Sequence, residues 1–89
     1  MKIVDGFIIR EIAGDYLVIP TGKRAMDYPG LITMNEVGRF LWEQLKDGIG
    51  EEELLARLQD EYEVPEDMAE EDMKAFLDSL REQGILEEE

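Results

Sequence analysis

Eighty-nine residues with 44% apolar content make one small domain, 1–89, near the lower limit for a self-sufficient hydrophobic core. The chain holds neither cysteine nor histidine, which excludes disulfides and thiolate metal sites and removes the commonest general base and transition-metal ligand. The formal charge of -14 is uneven: residues 1–50 carry seven acids and six bases, residues 51–89 sixteen acids and three bases, so the second half would repel a phosphate backbone.

No secretory signal and no apolar run of about 18 residues is present; Arg10 and Glu11 break the first apolar stretch. The expectation is a soluble cytoplasmic protein with no membrane partner. Phe7–Ile12 and Tyr16–Ile19 are rich in β-branched and aromatic residues and predict two strands. Ala13-Gly14-Asp15 between them is a turn signal, so the pair reads as a hairpin. Ile8 and Ile12 share a face with Arg10, while Phe7 and Ile9 lie on the other, which predicts partial cover on both. Pro20 to Arg24 reads as a loop with Lys23 and Arg24 at a solvated tip, Ala25 to Tyr28 is ambiguous, and Pro29-Gly30 is a second break. Leu31-Ile32-Thr33-Met34 then makes a short third strand.

Thr33 and Glu36 have capping-box spacing, and Asn35 is itself a good cap, so a first helix begins there. Val37, Phe40, Leu41 and Leu45 form its apolar stripe, with Trp42 beside it as a core residue. Gly38 inside a helix costs roughly 1 kcal/mol relative to alanine, which points to something packed closely against it. Gly48-Ile49-Gly50 ends the helix. A second helix is predicted over Glu51–Tyr62, with Leu54, Leu55, Leu58 and Tyr62 inward. Its three opening glutamates suit the positive end of the helix dipole. Pro65 suits the first turn of a third helix reaching Gln83. Ala69, Met73, Phe76, Leu77 and Leu80 give that helix the cleanest period in the chain. Gly84 stops it, Ile85 and Leu86 fold back onto the core, and Glu87 to Glu89 are expected to fray.

Carboxylates are so frequent that pairs arise by chance. Glu66, Asp67, Glu70, Glu71 and Asp72 lack the alternate spacing and glycine of a calcium loop. Gly22-Lys23 lacks the rest of a phosphate loop. The expectation is no catalytic residue, no metal and no cofactor. Met26, Met34, Met68 and Met73 suit an adaptable binding surface, though core filling fits Met34 and Met73 better. The third strand carries no charge, and its proline lies only at the entry. Such an edge either accepts a peptide strand or is covered by another strand or helix.

The run Leu31 to Gly38 followed by Phe40-Leu41-Trp42 resembles the central signature of the PqqD family. Tyr16 to Gly22 is similar to its second strand and loop, and Glu52-Glu53-Leu54 with Tyr62-Glu63-Val64 to its second helix and the turn after it. Asp72-Met73, Phe76-Leu77, Leu80 and Gly84-Ile85-Leu86 resemble its closing helix and tail. The resemblance implies an α+β, winged helix-turn-helix-like fold: a three-stranded antiparallel sheet followed by three α-helices. It also implies a non-catalytic chaperone for ribosomally made precursor peptides, whose leader adds a strand to the third β-strand and packs against the third helix. The partner would be a peptide-modifying enzyme such as a radical S-adenosylmethionine enzyme, the kind the family's namesake serves in pyrroloquinoline quinone biosynthesis, and no particular product is implied.

Carried onto this chain, the docking strand is Gly30, Leu31, Ile32, Thr33 and Met34. Met73 and Leu77 would line apolar pockets, and Lys74, Asp78 and Arg81 would meet leader charges. A leader with basic residues is favoured by the charge of the second half. A winged-helix DNA regulator is the second reading, opposed by that charge. An adaptor that binds only an enzyme is the third. An open edge also permits a monomer or a weak homodimer.

Overall fold

A computed structural model describes residues 1–22 and 32–88. The predicted loop tip at Lys23 and Arg24, the segment from Ala25 to Gly30 with Met26, the strand residue Leu31 and the tail residue Glu89 lie outside the described residues. Strands β2 (Phe7–Ile12) and β3 (Asp15–Pro20) form the hairpin, in register from Phe7 opposite Pro20 to Ile12 opposite Asp15. Ala13 and Gly14 make a two-residue turn, both at positive φ, 53° and 86°. Such turns match the right-handed twist of the strands they join. Gly14 adopts that conformation freely, whereas the Cβ of Ala13 makes it strained.

Strand β4 (Ile32–Met34) pairs antiparallel with β3, Val18 opposite Ile32 and Tyr16 opposite Met34. The sheet order is β2-β3-β4. Side-chain alternation puts Phe7, Ile9, Val18, Ile32 and Met34 on the face that packs on the core. On the other face Ile8 and Ile12 remain 40% and 53% exposed. The expected cover over that face is therefore missing at these two residues, because the helices pack on the opposite side.

Helices α1 (Glu36–Lys46), α2 (Glu51–Tyr62) and α3 (Glu66–Glu82) follow. Asn35 is the N-cap of α1: its side-chain oxygen accepts the Gly38 N–H at 2.9 Å. Thr33, the alternative suggested by spacing, lies within β4 and is exposed. Pro65 stands at the N-cap of α3, one position before the first turn predicted for it. Gly84 takes φ 73°, and the Ile85 N–H then donates to Leu80 O at 2.9 Å, so the chain turns back under the helix.

Ile85 is fully buried, and β5 (Leu86–Glu87) pairs with β1 (Lys2–Ile3), Ile3 opposite Leu86 and Lys2 opposite Glu87. The frayed tail expected from Glu87 is corrected at two positions: Glu87 is in a strand, and Glu88 accepts two hydrogen bonds from Arg81 at 2.7 and 2.9 Å. Met1 also joins the chain ends to the α1–α2 loop, its carbonyl accepting the Ile49 N–H at 2.9 Å.

The core is mainly helical. Leu41, Trp42 and Leu45 from α1, Leu54 and Leu58 from α2, and Ala69, Met73, Leu77 and Leu80 from α3 are all at most 2% exposed. Val37 and Phe40 are half-buried at its rim, where Phe40 meets Tyr62 edge-on with ring centroids 5.5 Å apart. Of the methionines, Met73 is core, Met34 packs against the core, and Met68 is 56% exposed. Among the described residues no polar or charged residue is buried. The acidic faces are therefore solvated.

Candidate functional site

Among the described residues β4 has a strand partner on one side only. Its outer edge thus presents backbone N–H and C=O groups outside the sheet ladder. Val37, Gly38 and Leu41 on α1 and Asp72, Ala75 and Phe76 on α3 line a hollow of about 260 Å³ that reaches Asn35, the residue leaving β4. A second hollow of about 280 Å³ lies at the end of β4, between Asp15 and Thr33, Met34 and Asn35.

Gly38 explains how closely these parts approach. A Cβ at that position would lie 3.0 Å from the Met34 Cβ and 3.3 Å from the Phe76 ring. The glycine expected to mark close packing marks the junction of β4, α1 and α3. Its backbone, rather than a side chain, forms part of the hollow.

Ile32 and Met34 turn toward the core, while Thr33 is exposed on the opposite face. Gly30 and Leu31 lie outside the described residues. Met73 and Leu77 are 1% and 0% exposed. They brace α3 from behind: neither lines the two hollows by β4, and Met73 lines instead a hollow shared with Leu55 and Lys74 on the α2 side.

Lys74, Asp78 and Arg81 of α3 do not line the hollow that reaches Asn35. Lys74 pairs with Glu70 at 2.8 Å and shares a hollow with Glu51, Glu52 and Leu55 of α2. Arg81 pairs with Glu88 and Asp78. The hydrogen bond to Glu70 raises the pKa of the Lys74 ammonium, and that to Glu88, with Asp78 adding to it, raises that of the Arg81 guanidinium. Both bases are thus occupied by acids of the chain itself, on the α2 and β5 side of α3. Asp72, Ala75 and Phe76 line the hollow that reaches Asn35, and Phe76 comes close to Met34 of β4 at Gly38.

A larger hollow of about 760 Å³ opens around Met1, Ile49 and Gly50, with Asp47, Glu53, Glu87 and Glu88 at its walls. It contains none of the predicted peptide-binding residues and no part of β4. Among the described residues no three acidic side chains gather where they could hold a metal ion, and no helix is long and apolar enough to cross a membrane. Burial, with Glu36 and Glu61 nearby, raises the pKa of the Tyr62 phenol. The arrangement beside β4 provides a main-chain edge, an apolar hollow and carboxylates, which are means of binding an extended chain.

The sequence profile of the PqqD family, described as coenzyme PQQ synthesis protein D, matches residues 23–86. The chain belongs to the PqqD family. A solved structure, TbiB1 in complex with the TbiA(beta) leader peptide, superposes on this PqqD-family chain with a TM-score of 0.76. The two are 25% identical, and the match covers 100% of this chain and 98% of that one. No curated protein matches. The three-stranded antiparallel sheet followed by three helices is the PqqD-like fold implied by the sequence signature. The β1–β5 pair is an addition that the signature did not suggest.

Proposed function

We propose that this PqqD-family chain binds the leader of a ribosomally made precursor peptide and presents it to a modifying enzyme, without reacting with it. The observation that carries the reading is strand β4, paired on one side only among the described residues, beside the Val37–Phe76 hollow, in a chain that matches a leader-bound protein along its whole length. A peptide strand added to β4 gains main-chain hydrogen bonds, and a hollow on one side selects its side chains. Gly30 and Leu31 belong to the proposed docking segment together with Ile32, Thr33 and Met34. Met73 and Leu77 would hold the α3 wall in place from within the core. Lys74, Asp78 and Arg81, held in ion pairs with Glu70, Glu88 and each other, would stand back from the peptide.

The modifying enzyme in this reading is one such as a radical S-adenosylmethionine enzyme, and the compartment is the cytoplasm. No cofactor is needed by the chain itself. DNA binding is disfavoured by the -14 charge.

The test is a titration of isotope-labelled protein with peptides tiled across the short open reading frames beside the gene. Saturable amide shifts at Ile32 to Met34 and at Asp72, Ala75 and Phe76 are expected. Shifts from the enzyme alone, with those amides unmoved by every peptide, would replace leader binding with an adaptor role.

A further inference from the structure

We infer that Asp72 sets the charge preference of the cleft beside β4: it selects a peptide strand carrying Lys or Arg two positions from a large apolar side chain. The inference rests on the strand-addition reading above and adds the chemistry of the peptide.

The hollow between α1 and α3 is apolar at Val37, Leu41, Ala75 and Phe76, and Asp72 is the charged residue lining it among the described residues. Asp15 lines the second hollow at the end of β4, and among the described residues no base lines either one. Asp72 makes no ion pair among the described residues. Among the described residues, three bases of α1 and α3 are held elsewhere. Arg39 lies over the Tyr16 ring at 5.2 Å. Lys74 is paired with Glu70, and Arg81 with Asp78 and Glu88.

Spacing then relates the two selections. Asp72 and Phe76 are one turn apart on α3, about 6 Å along its axis. Side chains i and i+2 on one face of a strand are about 6.6 Å apart. A strand lying along α3 therefore brings one side chain to Phe76 while its neighbour on the same face reaches Asp72. An acidic residue at that second place would meet Asp72 in the more acidic half of the chain, where residues 51–89 hold sixteen acids and three bases.

The experiment takes each tiled peptide that shifts the Ile32 to Met34 amides and replaces its Lys or Arg with Glu. Parent and replaced peptides are titrated by fluorescence anisotropy against the 89-residue chain and its Asp72→Asn and Asp72→Lys variants. Asp72 is exposed, so both variants should retain the native amide spectrum, which is recorded first. Peptides that bind at β4 are expected to carry the cation–x–apolar pattern in either direction. The Glu replacement should weaken binding to the wild type about tenfold, an exposed charge pair plus the repulsion that replaces it. Asp72→Asn should weaken the parent about fivefold, and Asp72→Lys should reverse the preference so that the Glu peptide binds better. If peptides shift the β4 amides but their preference is the same for wild type and Asp72→Lys, the role of Asp72 is overturned and strand addition stands. If no peptide shifts those amides, both fall together.

Discussion

The hydrogen bond from the Gly38 N–H to Asn35 Oδ1, at 2.9 Å, sets where β4 ends and α1 begins. Two residues had the chemistry of a cap; Thr33 is taken up in β4, and only Asn35, with φ -86° and ψ -175°, stands directly before the helix where its side chain reaches the Gly38 N–H. Asn35→Ala should cost about 1 kcal/mol in urea denaturation, whereas Thr33→Ala should stay within about 0.5 kcal/mol because its hydroxyl caps nothing. An equal loss at both positions would mean that the cap is shared. At the hairpin tip, Ala13 takes φ 53° in a turn that favours Asn or Gly. Ala13→Asn should raise stability by about 0.5–1 kcal/mol, seen as a higher melting temperature. The turn was legible in the sequence as Ala13-Gly14-Asp15. Which two residues would take positive φ was not, since that follows from the pairing of Ile12 with Asp15.

The elements differ in how far their sequence foretold them. α2 begins and ends where its apolar period and acidic first turn predicted, Glu51–Tyr62. The inward stripe of α3 holds as read, with Ala69, Met73, Leu77 and Leu80 buried and Phe76 at its edge. Periodicity alone could not say which shoulder of that stripe would meet β4. Asp72 with Ala75, and Lys74 with Arg81, flank it on opposite sides, and packing against α1 and α2 decided between them. Leu77→Ala should cost about 2–5 kcal/mol, a large part of what a domain of this size has, while Lys74→Ala and Arg81→Ala should each change stability by less than about 0.5–1 kcal/mol. Chemical denaturation separates them. A Leu77→Ala variant of wild-type stability would place Leu77 outside the core.

For the whole molecule, the charge of -14 acts against compactness. The ion pairs do little to offset it, since their side chains are between 37% and 68% exposed. Raising NaCl from 0.01 to 0.1 M shortens the screening length from about 30 Å to about 10 Å. That is well below the 40 and 34 Å long dimensions of the molecule, so the melting temperature should rise by several degrees. A fall on adding salt would show that the ion pairs outweigh the repulsion. The same charge makes a cationic peptide the favoured guest at long range, with Asp72 refining the choice at contact.

The sequence by itself determined the order of the three sheet strands and three helices, the inward faces of the helices, the lack of thiol and imidazole chemistry, and the segregation of charge. These depend on residue type and on spacings within a few positions, where propensity and periodicity operate. Tertiary structure alone decided the pairing of Lys2–Ile3 with Leu86–Glu87, the exposure of Ile8 and Ile12, and the flank of α3 that faces β4. A two-residue strand has too little local signal to announce itself. It forms because Gly84 turns Ile85 into the core and brings Leu86 beside Ile3. Each of these outcomes depends on surfaces that distant segments of the chain supply to one another, and packing brings those together only when the whole chain folds.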